Sequence, residues 1–259
     1  MDLGIKGKSA IVCAASKGLG KACASALADA GVNLTICARG EEDLKNTAEE
    51  LQNASGVEIS HVACDITTEQ GRQAILEICP QPDILVNNAG GPPPANFEDI
   101  SMDDWRKAVE GNMITPLALI KATVDGMMER QFGRIVNITS AAVKAPMNML
   151  DLSNGARAGL TGGVAILARR ASAHNVTING MLPGTFETDR LLQNFVKQAE
   201  AQNIAVEEAK ERRLATVPAR RFGSPPEFGA ICAFLCSAHT GYITGQNIVI
   251  DGGVFPGIV

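Results

Sequence analysis

The sequence is poor in the side chains that many kinds of function depend on. Its 259 residues hold one tyrosine, one tryptophan and three scattered histidines, and aromatics make up 4% of the chain. So few rings argue against the aromatic-rich interior of an all-β sandwich. No apolar run approaches the roughly 18 residues that a membrane-spanning helix needs, and Met1–Lys8 lacks the apolar stretch of a signal peptide. The cysteines (Cys13, Cys23, Cys37, Cys64, Cys79, Cys232 and Cys236) are odd in number and show no CxxC or other zinc spacing. The net charge is −5, and the nearest approach to a basic cluster, Arg212-Arg213 and Arg220-Arg221, is too small for a nucleic-acid footprint. These absences predict a reduced, cytoplasmic, metal-free soluble protein with no nucleic-acid or membrane partner.

What is present points to an α/β chain. Hydrophobic residues make up 46% and charged residues 20%, with 26 glycines, which excludes disorder. Short apolar runs at Ser9–Ala15, Asn33–Ala38, Glu58–Cys64, Ile84–Asn88, Arg134–Thr139, Val176–Leu182 and Asn247–Ile250 are mostly unbroken rather than alternating. That pattern marks strands buried on both faces, as in a parallel sheet. Helix-like stretches separate them at Gly18–Ala30, Glu41–Ala54, Glu69–Cys79, Met102–Arg130, Ser153–Ala173 and Pro226–Ser237. The expectation is one domain over residues 1–259, a doubly wound sheet of about seven parallel strands with helices on both faces. A polar, largely helical insertion around 185–217 reads as a lid over the strand ends, where ligands of such sheets bind.

The first βα turn runs Cys13-Ala14-Ala15-Ser16-Lys17-Gly18-Leu19-Gly20. Glycines that open a helix let backbone N–H groups approach a pyrophosphate. The second strand ends Ala38-Arg39-Gly40. An acid there would hold the ribose 2′-hydroxyl of NAD; Arg39, with Lys17 in the adjoining loop, instead suits the 2′-phosphate of NADP(H).

With these residues in place the chain resembles the short-chain dehydrogenase/reductase family, of the kind that includes 3-oxoacyl-carrier-protein reductases. The resemblance runs from Lys8 to Gly253. The family's TGxxxGxG stands here as Cys13-Ala14-xxx-Gly18-Leu19-Gly20, so Ala14 replaces the first glycine. The resemblance implies a Rossmann-type fold and cofactor contacts from Ala14, Ser16, Lys17, Gly18, Leu19 and Arg39. It implies others from Asp65, from the Asn87-Asn88-Ala89-Gly90 motif through Asn88, Ala89 and Gly90, and from Pro183, Gly184 and Thr185. Asn112 and Ser140 match two members of the catalytic tetrad. Tyr242–Gly245 through Val249–Gly253 matches the C-terminal signature. A homotetramer is the family expectation, a dimer the alternative. The apolar segment Val254–Val259 suits an interface.

One motif departs from the family. Where YxxxK is expected, thirteen residues after Ser140, the chain has Ser153 and Arg157. A serine hydroxyl is a far weaker acid than a phenol near pKa 10. Arg157 can hold the nicotinamide ribose as the lysine does but stays charged. Tyr242, the lone tyrosine, already has its place in the C-terminal signature. Three readings stand: an NADP(H)-dependent oxidoreductase of a carbonyl or alcohol with another proton source, for which Lys144, Asp151 and a water held by Ser140 and Ser153 are the candidates; an enzyme whose substrate needs little acid help; or a cofactor-binding sensor or partner without turnover.

Overall fold

In the computed structural model, which describes residues 1–257, strands and helices alternate from end to end. The first half contains β1 (Ser9–Cys13), α1 (Gly18–Asp29), β2 (Asn33–Ala38), α2 (Glu41–Ser55), β3 (Ile59–Ala63), α3 (Glu69–Ile78) and β4 (Ile84–Asn87). Next come α4 (Met102–Val109), α5 (Thr115–Glu129), β5 (Gly133–Ile138), α6 (Asp151–Ser172) and β6 (Val176–Pro183). The chain finishes with α7 (Asp189–Gln202), α8 (Val206–Ala215), α9 (Pro225–Leu235) and β7 (Asn247–Ile250). Ile258 and Val259, the end of the apolar C-terminal segment, lie outside the described residues. No described helix is long and apolar enough to cross a membrane.

All seven strands are parallel, in the order β3-β2-β1-β4-β5-β6-β7. The unbroken apolar runs are explained by burial on both sides. Along β1, Ala10 and Val12 enter one core with α1, α2 and α9, while Ile11 and Cys13 enter the other with α3, α5 and α6. Adjacent residues point to opposite faces, so the central strands are buried along their length, whereas the edge strand β3 is partly exposed. The winding direction reverses between β1 and β4, which opens a crevice at their carboxyl ends.

Local sequence sets several helix starts. Thr68 Oγ accepts the Gly71 N–H before α3, and capping boxes join Ser101 to Asp104 at α4 and Ser224 to Glu227 at α9. Each such cap is worth roughly 1 kcal/mol.

The single helix expected over Met102–Arg130 is interrupted. A π-helical turn at Glu110–Ile114 separates α4 from α5. Pro116 supplies the reason: it has no N–H to give the carbonyl four residues back, that of Asn112, and its ring crowds that carbonyl. The glycines expected to permit close approach in α6 do so at two places. A Cβ on Gly155 would lie 3.0 Å from the Trp105 ring, and one on Gly159 would lie 2.7 Å from Met113 Sδ.

The insertion is a helix pair, α7 and α8, with its own small core of Phe195, Ala209, Val217 and Phe222. The apolar side chains of this insertion do not gather into one group. Phe186 packs edge-on against Phe228 in the main core, Phe195 against Phe222, and Leu192 faces outward. Arg134 is fully buried at the amino ends of the strands, held by the carbonyls of Gly133, Asn175 and Ser237. It is therefore a structural cation rather than part of a docking patch.

Candidate active site

The crevice between β1 and β4 gathers most of the residues singled out from sequence. Ala14 ends β1 with φ +49°, a left-handed conformation that glycine adopts freely and alanine does not. Gly20 lies so close beneath it that a Cβ would sit 2.2 Å from the Ala14 carbonyl oxygen and 2.8 Å from Asn88 Nδ2. Asn88 donates to that same carbonyl at 3.4 Å, tying the β4 end to the turn. The Ser16 carbonyl accepts from Thr47 of α2 at 2.9 Å. Lys17 caps α1 without a side-chain bond to it, so the first N–H groups of α1 face the crevice unshared by its cap. Gly18 and Leu19 form the first turn, half-buried.

Beyond the turn, Arg39 is exposed at the end of β2, and no acid stands in its place. Its charge reaches Asp65, whose carboxyl is held below the usual range first by the Thr67 hydroxyl, then by the Thr67 N–H, with Arg39 adding to these. Lys17 is shared with Asp43 at 3.4 Å, so Arg39 is the freer of the two cations. A helix start with approachable N–H groups, followed by a cation instead of an acid, fits a dinucleotide that carries a third phosphate.

At the other end of the crevice, Ser140 follows β5 and its hydroxyl accepts the Ala142 N–H at 3.1 Å. Ser153 and Arg157 lie one turn apart on α6 and are both buried. Arg157 Nη1 donates to the Thr139 carbonyl, next to Ser140, while its Nε has no partner. Asn112 is buried in the π turn, and its side chain donates to the Ala108 carbonyl at 3.3 Å. Asn112, Arg157, Asn88 and Ala89 line one narrow void of about 10 Å³, the size of roughly one water. Gly90 continues this wall, exposed. Pro183 and Gly184 close the far side, where the Gly184 N–H donates to the Ile250 carbonyl at 2.9 Å. Thr185 accepts from Arg213 of α8 at 2.8 and 3.1 Å.

The guanidinium of Arg157 has an unusual setting. Burial pushes it down to about 10, and the charge of Arg190 adds to the shift. No described carboxylate pairs with either arginine, because neither takes part in an ion pair. Lys144, in contrast, is exposed, and its Nζ lies 5.8 Å from the centre of the Phe255 ring. Asp151 opens α6, half-buried. Tyr242 is fully exposed and precedes β7, at the end of the sheet away from the crevice.

Sequence reasoning did not find Arg190, Arg213 or Gly91. Arg190 crosses to the Gly91 carbonyl at 3.1 Å, 99 positions away in sequence, and no local spacing foretells such a contact. A cleft of about 500 Å³ lies between α1 and the starts of α7 and α9. It is lined by Gly18 but by none of Asn112, Ser140, Ser153 and Arg157. Convergence of polar groups, rather than cavity size, marks the site.

Comparison with known proteins places the fold. Residues 13–255 match the family model described as enoyl-(acyl carrier protein) reductase. The chain is 32% identical over 260 residues to the 3-oxoacyl-(acyl-carrier-protein) reductase of Aquifex aeolicus, covering 98% of this chain and all of that protein. It is 31% identical over 251 residues to the NADPH-dependent reductase BacG of Bacillus subtilis, covering 95% and 97%. L-sorbose reductase from Gluconobacter frateurii, in a structure complexed with NADPH and L-sorbose, superposes with a TM-score of 0.95 at 27% identity over the whole of both chains.

Proposed function

Because the chain belongs to the short-chain dehydrogenase/reductase family, we propose that it is an NADP(H)-dependent oxidoreductase that interconverts a small carbonyl compound and its alcohol without a phenol acid. The observation that carries this reading is that Asn112 and Arg157 line one void with Asn88 and Ala89, while Arg157 donates to the Thr139 carbonyl beside Ser140 and lies one turn after Ser153 on α6.

The residues divide the work by position. The α1 amino end takes the pyrophosphate, and Arg39, supported by Lys17, takes the 2′-phosphate. Asp65 lies on the adenine side. Ala89, Gly90, Pro183, Gly184 and Thr185 form the walls near the ring, and Arg157 Nε holds the ribose beside it. When bound, NADPH supplies a hydride to the carbonyl carbon. Ser140 and Ser153 present hydroxyl donors to the carbonyl oxygen. The Arg157 charge stabilises the negative charge that grows there, a preorganised effect that gains strength in a dry site. The proton that completes the alcohol comes through solvent at the open rim, where Lys144 is the nearest cationic acid along the chain.

A binding protein without turnover is the second reading, and the position of Tyr242 favours it. The chain's single phenol stands at the wrong end of the sheet to act as the acid. We further read the protein as a cytoplasmic homotetramer. Its seven free thiols suit a reducing compartment, and exposed Ile114 and Ile166 on the α5–α6 side suit an interface.

Fluorescence titration with NADPH and NADH, then a scan of carbonyl substrates with wild type and Lys144→Ala, tests the proposal. Tight NADPH binding with turnover is expected, and slower turnover in the variant. Unchanged turnover removes Lys144. Binding without turnover on any carbonyl supports the second reading, and no binding of either nucleotide refutes both.

A further inference from the structure

Two guanidinium groups meet at the mouth of the crevice, and nothing in the described chain neutralises them. Arg157 comes from α6 and is 8% exposed, and its Nη2, apart from the Nε assigned to the ribose, lies toward Gly91. Arg190 comes from α7 and spends one hydrogen bond, 3.1 Å long, on the Gly91 carbonyl. The position a Cβ would take on Gly91 is 3.3 Å from Arg157 Nη2 and 3.4 Å from Arg190 Nη2. Both positive groups therefore flank one residue of the loop that follows β4. The absence of a side chain at Gly91 is what leaves them room.

Two like charges placed so close, one of them buried, repel each other and disfavour their own burial. Folded chains ordinarily meet this with a carboxylate. Here Asp189 and Glu187 flank Arg190 in sequence, yet neither forms an ion pair with it, and Arg157 has none either. Arg190 is exposed and solvated, but Arg157 is buried, and no described side chain supplies the negative charge that would offset it. A pair of planar, multi-donor guanidiniums matches the two oxygens of a carboxylate better than any neutral group.

We propose that Arg157 and Arg190 form a clamp for a carboxylate carried by the substrate, so that the protein acts on an oxo acid or hydroxy acid rather than on a neutral carbonyl compound. This deepens the proposed function and rests on it for the reacting carbonyl. Arg190 is the specificity-determining member, since it reaches the site from the α7–α8 helix pair and forms its one hydrogen bond with the Gly91 carbonyl rather than with the turn that would receive the pyrophosphate.

The test uses matched pairs of free acid and methyl ester: pyruvate, acetoacetate and levulinate against their esters. Binding to the protein is measured calorimetrically with and without saturating NADPH, in wild type, Arg190→Ala and Arg190→Lys. At least one acid is expected to bind about tenfold or more tighter than its ester, as a charge-assisted pair implies. That preference is expected to vanish in Arg190→Ala and return in part in Arg190→Lys, while NADPH affinity stays within about threefold. Equal binding of acids and esters across the panel overturns the clamp, as does a preference that survives in Arg190→Ala. A parallel loss of NADPH affinity in Arg190→Ala also overturns it, because the anion would then be a cofactor phosphate. Failure of wild type to bind NADPH, with the acid preference intact in its absence, strikes the proposed function and leaves the clamp standing.

Discussion

Replacement of Arg157 by methionine is expected to make the protein more stable and less active. Burial lowers the guanidinium to about 10, well below its ordinary value. Below pH 10 both folded and unfolded states carry the charge, and the folded state bears the full penalty. Above pH 10, until the unfolded guanidinium also titrates, the unfolded state binds more protons, so stability rises with pH there and the penalty is gone beyond that window. At about 1.4 kcal/mol per pH unit the penalty near neutrality is on the order of 3 kcal/mol. Methionine has similar length and no charge. It gives up the bond to the Thr139 carbonyl, a loss of roughly 1 kcal/mol. The net gain is about 2 kcal/mol, which for a chain of this size raises Tm by about 4–8 °C. Calorimetric melting and guanidinium titration at pH 7.5, without nucleotide, measure this directly. A fall in Tm would refute the reasoning, because it would mean that the guanidinium has a compensating partner and serves the fold. A rise in Tm together with loss of turnover or of acid binding would show a charge kept for function at the expense of stability.

Three other outcomes are expected. Arg39→Ala should weaken NADPH by about 10- to 100-fold, the range of one charge-assisted hydrogen bond, and leave NADH nearly unchanged in the same fluorescence titration; an equal loss of both would place Arg39 away from the 2′-phosphate. Ala14→Gly should stabilise the chain by about 0.5–1 kcal/mol, since relief of the left-handed alanine exceeds the added freedom of the unfolded glycine; a lower guanidinium midpoint in this variant would contradict the strain. Ile166→Glu, at a side chain 73% exposed in the single chain, should reduce the mass seen by size-exclusion with light scattering to that of a smaller assembly, and an unchanged mass would remove the α6 face from the interface.

Much of this protein is legible along the chain because its inner strands are buried on both faces. The run at Asn33–Ala38 coincides with β2 to the residue. A strand covered on one face would have shown alternation with a less certain boundary. The Gly18–Gly20 turn and Arg39 are equally local, since a helix start and the residue after a strand need only a few neighbours to be defined. The π turn was present in the sequence as Pro116, but its effect falls four residues earlier, on Asn112, and periodicity alone does not register a widened turn.

By itself, then, the sequence determined the parallel sheet, the order of its elements, the glycine turn after β1, and the pair Ser153 and Arg157 on one helix. Only the tertiary structure decided what surrounds that pair. It buried Arg157 without a carboxylate, brought Arg190 to Gly91 across 99 positions, and divided the aromatics of the insertion between two separate cores. The physical reason is range. Strand burial and helix capping are settled by residues within a turn or two, whereas the energy of a charge depends on whatever the whole fold places within a few ångströms of it.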